Sequence, residues 1–170
     1  MRETKYMKLK VSRLLISIVI ALSAGLIGSV ATSSEITSWY VTINKPSFNP
    51  PNWIFGPVWT LLYILIGIAL FRVWQKSIKS DQKIASPNKR KAIMVWGLQL
   101  FLNTLWSFLF FGLNSPAVGL IGIILLWISI VWTIKLFLSI DKLAALLLFP
   151  YLAWVSFATV LNLAIWQLNP

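Results

Sequence analysis

Between Ala92 and Ile134 the chain runs for 43 residues without one charged side chain. A single helix of that length would be about 65 Å long at 1.5 Å per residue. A bilayer hydrocarbon core is about 30 Å thick. The run must therefore fold back on itself, and Asn114-Ser115-Pro116 supplies turn chemistry near its middle. Two membrane spans follow, at about 92–112 and 117–138. The same logic places three more, at about 14–34, 53–74 and 143–166. The expected fold is one all-α integral membrane domain over residues 1–170, a bundle of five transmembrane helices. Composition agrees: 58% of residues are hydrophobic and the mean hydropathy is +0.81, far from a soluble domain.

Local details refine these spans. The basic segment before Leu14 also fits a signal peptide, but the following 21 uncharged residues are long enough to span. Ala21, Gly25 and Ser29 recur every fourth residue, as do Ala24 and Gly28. Such small residues allow close helix approach, either within the bundle or across a dimer seam. Pro46, Pro50 and Pro51 keep the 35–52 connection from forming a regular helix. Pro57 is expected in the first turn of span two, and Pro150 is expected to kink span five. Residues 75–91, with Lys76, Lys79, Lys83, Lys89, Arg90 and Lys91 against Asp81, read as a solvated loop.

The formal net charge is +11, but the basic residues lie in short segments between apolar runs, so nucleic-acid binding is not expected. Five spans put fourteen of the fifteen Lys and Arg on the N-terminal side and only Lys45 opposite. That asymmetry predicts a cytoplasmic N-terminus and an external 35–52 loop. The chain has no Cys and no His. Disulfides, thiolate or imidazole metal sites and His general bases are thereby excluded. No ionisable residue is expected deep in a span. Arg72 and Lys135 lie near span ends, where snorkelling accounts for them, which argues against proton-coupled transport. Three of the four acids sit in tails or loops and Asp141 in a turn, so no carboxylate pair is formed.

The spans hold aromatic and amide groups instead. Trp154, Ala158 and Asn162 share one face of span five, Gln99, Asn103 and Trp106 one face of span three, and Trp59 and Tyr63 one face of span two. Interhelical glue and core filling are one explanation. A pocket for a planar, mostly apolar ligand is the other.

The stretch Trp39 to Trp74 bears on this choice. Trp39-Tyr40, Lys45-Pro46-Ser47-Phe48, Pro50-Pro51 and Val58-Trp59 with Leu62-Tyr63 resemble the signature of the tryptophan-rich sensory protein family, the TspO and peripheral benzodiazepine receptor (translocator protein) group. Further matching pieces are Gln99-Leu-Phe-Leu-Asn103 with Trp106-Ser107, Pro150-Tyr151-Leu152-Ala153-Trp154, and Phe157 to Asn162. The resemblance covers about residues 14–169, with its pieces in order at membrane-helix spacing.

The resemblance implies a five-helix bundle that forms homodimers and binds tetrapyrroles, aromatic drug-like compounds or, in animals, cholesterol. It implies a pocket opening toward the first loop, lined at Tyr40, Trp59, Asn103, Trp154 and Ala158. Some members are thought to degrade porphyrins in light, which would make Trp59 and Trp154 the reactive residues. The full candidate ligand-binding set is Tyr40, Pro46, Trp59, Tyr63, Asn103, Trp106, Trp154, Ala158 and Asn162. The animal cholesterol motif needs a Tyr followed by a basic residue; Leu161 to Gln167 has neither, which weighs against sterol binding. The resulting expectation is a tetrapyrrole-binding membrane protein acting as sensor, scavenger or carrier, without a resident cofactor or metal. The alternatives are a light-dependent porphyrin-degrading enzyme and a transporter of hydrophobic small molecules.

Overall fold

The computed structural model describes residues 2–76 and 87–170, and the side chains of residues 6–76 and 88–170. In chain order the helices are α1 (Arg2–Glu35), the short α2 (Trp39–Thr42), α3 (Asn52–Gln75), α4 (Pro87–Ser107), α5 (Pro116–Leu138), the short α6 (Lys142–Leu146) and α7 (Phe149–Leu168). Helix α4 continues into a π-helical turn, Phe108–Gly112. Among the described residues five segments are long and apolar enough to cross a membrane: Tyr6–Glu35, Asn52–Gln75, Asn88–Gly112, Pro116–Leu138 and Lys142–Leu168. The all-α, five-span expectation holds.

Several boundaries differ from the sequence reading for local reasons. Helix α4 begins at Pro87, so residues 87–91 are helical rather than loop; Pro is favoured in a first helical turn. Lys79, Asp81 and Lys83 of the expected solvated loop lie outside the described residues. Helix α3 begins at Asn52, which makes Pro57 its sixth residue and an interior one. The donor it lacks would have met the carbonyl of Trp53, on the first exposed turn. Around Pro150 the chain does more than kink. Helix α6 ends at Leu146, and α7 restarts with Pro150 in its first turn.

Helix α1 packs along α3 and α4, α5 lies between α4 and α7, and α6 touches α3 and α5. The small residues of α1 serve these contacts inside the chain. A Cβ on Gly67 of α3 would fall 2.6 Å from the Cα of Ile18. Gly28 faces Ser107, and Thr104 Oγ1 donates to the Ala24 carbonyl at 3.1 Å. Ala21, Ala24 and Gly28 are buried in this packing, whereas Ser29 of the same stripe is exposed.

Asp141 takes a part the sequence did not suggest. It caps α6, accepting from the Ala144 N–H at 3.0 Å, and Arg72 of α3 grips its carboxylate at 3.2 and 3.1 Å. Lys76 lies 3.7 Å away. Arg72 is therefore paired rather than merely snorkelling. Burial acts to raise the Asp141 pKa, but the Ala144 N–H, Arg72 and Lys76 together hold it below the ordinary carboxylate value.

Candidate ligand-binding site

A cavity of about 380 Å³ lies among α1, α3, the C-terminal end of α4 and α7, with Tyr40 of α2 in its wall. Its position follows from the way the helices diverge. Near Gly25 and Gly67 helices α1 and α3 touch so closely that a Cβ has no space. Nearer the first loop a Cβ on Gly56 would meet nothing within 4 Å.

Tyr63 forms the deep end. Its ring stacks on Trp59, with centroids 5.6 Å apart and planes at 29°. Its hydroxyl hydrogen-bonds to Asn103 Oδ1. Asn103 Nδ2 in turn donates to the Tyr151 hydroxyl at 3.0 Å, and Trp59 meets the Tyr151 ring edge-on. One buried amide thus holds two phenols, one of which faces the cavity.

The wall on the α4 side depends on the π-turn. The bonds Leu113 N to Phe108 O and Ser115 N to Phe110 O skip five residues rather than four. Phe110 and Phe111, both buried, lie within this widened turn. Such turns recur at functional sites. Trp106 stacks on Phe110 at 5.4 Å, and its indole N–H donates to Asn162 Oδ1 at 3.2 Å. Asn162 Nδ2 donates to the Pro116 carbonyl at 2.7 Å. Asn162 is therefore both interhelical glue and cavity wall. Phe110 and Phe111 were not among the sequence candidates; the aromatic run Phe108-Leu-Phe-Phe111 was the available signal.

Of the nine candidates, Tyr40, Trp59, Tyr63, Trp106, Ala158 and Asn162 line this cavity. Asn103, Pro46 and Trp154 do not. Asn103 lies behind Tyr63. Pro46 sits in the loop, accepting the Asn49 N–H at 3.0 Å. Trp154 fills the seam between α3 and α7, edge-on to Phe55 at 5.9 Å and tilted on Phe157 at 5.6 Å. Its indole N–H is buried without a hydrogen-bond partner. Gln99 is buried with neither side-chain polar atom bonded, and it too lies outside the wall.

The wall carries no charged side chain. The hydroxyls of Ser29, Thr32, Ser33 and Thr60 all donate to carbonyls of their own helices. Tyr40 donates to Asn49 Oδ1 at 2.7 Å, and burial pushes its phenol up to about 12 against the pull of that bond. It is a neutral hydrogen-bonding group at physiological pH. Lys45 lies over its ring at 4.8 Å and donates to the Ile43 carbonyl at 3.1 Å. The loop is clasped to the end of α7: Asn44 N–H donates to Asn169 Oδ1 and Asn169 Nδ2 donates to Asn44 O, both at 2.9 Å. No group of three or more His, Cys, Asp or Glu side chains that could hold a metal ion occurs among the described residues.

Comparison with known proteins agrees with this architecture. The profile of the TspO/MBR family matches residues 17–167. The chain is 44% identical over 161 residues to the tryptophan-rich protein TspO of Archaeoglobus fulgidus, covering 95% of this chain and 99% of that protein. It is 43% identical over 164 residues to the protein of the same name from Chlorobaculum tepidum, covering 96% and 100%. The human translocator protein is 34% identical over 143 residues, covering 84% and 82%. With five apolar spans and this match over most of its length, the chain is an integral, multi-pass membrane protein of the TspO/MBR family.

Proposed function

We propose that the protein binds a tetrapyrrole, a porphyrin or a haem-pathway intermediate, in this cavity and acts as a sensor, scavenger or carrier of it. The observation that carries this reading is the wall itself: stacked flat rings, Trp59 on Tyr63 and Trp106 on Phe110, enclosing a neutral space of about 380 Å³. Pockets of about 300–1,000 Å³ with apolar walls and a few orienting polar groups are the usual form of small-molecule sites. Flat rings favour a flat ligand by stacking. The amide of Asn162 and the phenol of Tyr40 are the polar groups in the wall that can orient a ligand. Membership of the TspO/MBR family supports the same class of ligand.

Binding alone is favoured over light-driven degradation by one observation. Trp59 faces the cavity, whereas Trp154, the second tryptophan that reaction would use, is packed in the α3–α7 seam.

The test is titration of the purified protein with zinc protoporphyrin, followed by tryptophan quenching, in the parent and in Ala158→Leu. Saturable quenching that weakens at least tenfold in a folded Ala158→Leu variant is expected. Unchanged affinity in that variant would move the ligand elsewhere.

A further inference from the structure

We propose that the cavity opens sideways into the membrane, through a slit between the loop-proximal halves of α1 and α3, and takes its ligand from lipid rather than from water. The inference rests on reading the cavity as a ligand site and concerns how that site is reached.

The slit has two rims. On α1 they are Leu26, Ser29 and Ser33; on α3, Asn52, Gly56 and Thr60. All six line the cavity and are exposed at the protein surface, Leu26 at 70%. At 1.5 Å per residue each rim is about 10–12 Å long. Both lie within membrane-crossing segments, Tyr6–Glu35 and Asn52–Gln75. The slit closes at its deep end, where Gly25 meets Tyr63, and open space returns at Gly56.

The seam between α3 and α7 is filled: Phe55 against Trp154 and Trp59 against Tyr151 plug it. On the loop side, the chain leaves α2, is clasped to α7 through Asn44 and Asn169, and passes Phe48 against Phe157 before entering α3. The connection is therefore held against α7 before it reaches the rim at Asn52.

Rim chemistry suits hydrocarbon rather than water. Ser29, Ser33 and Thr60 would be polar edges, but each hydroxyl donates to its own helix: to Leu26 O, Ser29 O and Gly56 O. Polar groups bonded within their own helix are tolerated against lipid, whereas unsatisfied ones are not. Apart from Leu26 and, at the loop-side end, Asn52, the rim is thus made of small residues past which a flat apolar molecule can slide, while the polar groups of Asn162 and Tyr40 wait inside.

The chain has no cysteine of its own, so single labels and cross-links are clean. Spin labels at Thr60→Cys and Ser33→Cys, in phosphatidylcholine vesicles, should collide with oxygen rather than with a water-soluble nickel chelate, as a label at the lipid-side control Val19→Cys does. Behaviour like a label at Ser47→Cys in the loop would overturn the proposal. A kinetic arm uses zinc protoporphyrin delivered from vesicles. Bridging Ser33→Cys to Gly56→Cys with a short bis-methanethiosulfonate reagent should slow uptake at least tenfold, and reductant should restore it. Bridging Asn44→Cys to Asn169→Cys should leave the rate within twofold. Tenfold slowing by the Asn44–Asn169 bridge, or none by the Ser33–Gly56 bridge, would overturn the route. If zinc protoporphyrin binds no form at all, the ligand reading fails, while the spin labels still decide whether the slit faces lipid.

Discussion

Gly25 of α1 lies directly against the ring of Tyr63 of α3, with no room for a Cβ between them. Tyr63 is not free to move aside, because Asn103 holds its hydroxyl and Trp59 stacks on its ring. Gly25→Ala should therefore overpack the deep end of the cavity and destabilise the protein by about 1–3 kcal/mol. Gly56→Ala, facing open space, should be neutral or stabilising by on the order of 0.5–1 kcal/mol, because glycine is a poor helix former. Thermal melts of both in detergent check the pair; equal melting temperatures would remove the tight approach.

Asn103 joins two phenols from different helices, Tyr63 and Tyr151, in a buried site. Asn103→Leu leaves both hydroxyls unpartnered and should lower stability by about 1–3 kcal/mol. Its effect on the ligand would be indirect, through the tilt of Tyr63 and Trp59. Converting both phenols as well, with Tyr63→Phe and Tyr151→Phe, should recover most of the lost stability, since an apolar set leaves nothing unsatisfied. A triple variant as unstable as Asn103→Leu alone would show that Asn103 works by packing.

The five spans were legible because an uncharged run of 43 residues cannot cross a bilayer once. Of the six candidates that line the cavity, helical spacing pointed to Trp59 with Tyr63, to Trp106, and to Ala158 with Asn162, whereas Tyr40 came from the family resemblance alone. Spacing does not say how deep a face sits. Asn103 shares a face with the cavity-lining Trp106 but lies behind Tyr63, and Trp154 shares a face with Ala158 but turns into the α3–α7 seam. Phe110 and Phe111 were hidden because nothing in the local sequence announces the π-turn in which they lie. Asp141 gave no local sign of its partner because Arg72 is 69 residues away in the chain.

The Asp141 cluster makes a pH-dependent contribution whose sign is fixed. Its carboxyl is held below the ordinary value of about 3.9. The stabilisation is then complete above that value and is lost as pH falls through the lower folded value. Asp141→Asn keeps an N-cap side chain but removes the charge, and should cost about 1.5–3 kcal/mol at pH 7. The gap between parent and variant should stay flat from pH 7 to about 5 and narrow below about 4. A gap that widens on acidification would reverse the sign of the shift.

We propose the orientation from the fourteen-to-one charge split, with the N-terminus in the cytoplasm. Ser47 and Ser139 are both exposed, one in the first loop and one at the end of α5. Ser47→Cys should react with an impermeant maleimide added outside intact cells, and Ser139→Cys only after the cells are opened. The opposite pattern would place the loop and the slit's leaflet on the cytoplasmic side.

Haem iron is usually held by His, Cys, Met or Tyr. This chain has no His or Cys, and the cavity wall has no Met. Tyr40 and Tyr63 are the wall phenols, and both hydroxyls are engaged, with Asn49 and Asn103. For Tyr40, burial pushes the phenol up to about 12, so the phenolate needed to ligate ferric iron is scarce at neutral pH. Recognition should then come from stacking and hydrogen bonds at the ring's edge. Free-base, zinc and ferric protoporphyrin should bind within about tenfold of one another, a gap of at most about 1.4 kcal/mol. Quenching titrations on one preparation decide it. Ferric haem binding a hundredfold tighter, with the excess lost in Tyr40→Phe, would show that Tyr40 gives up Asn49 to take the iron.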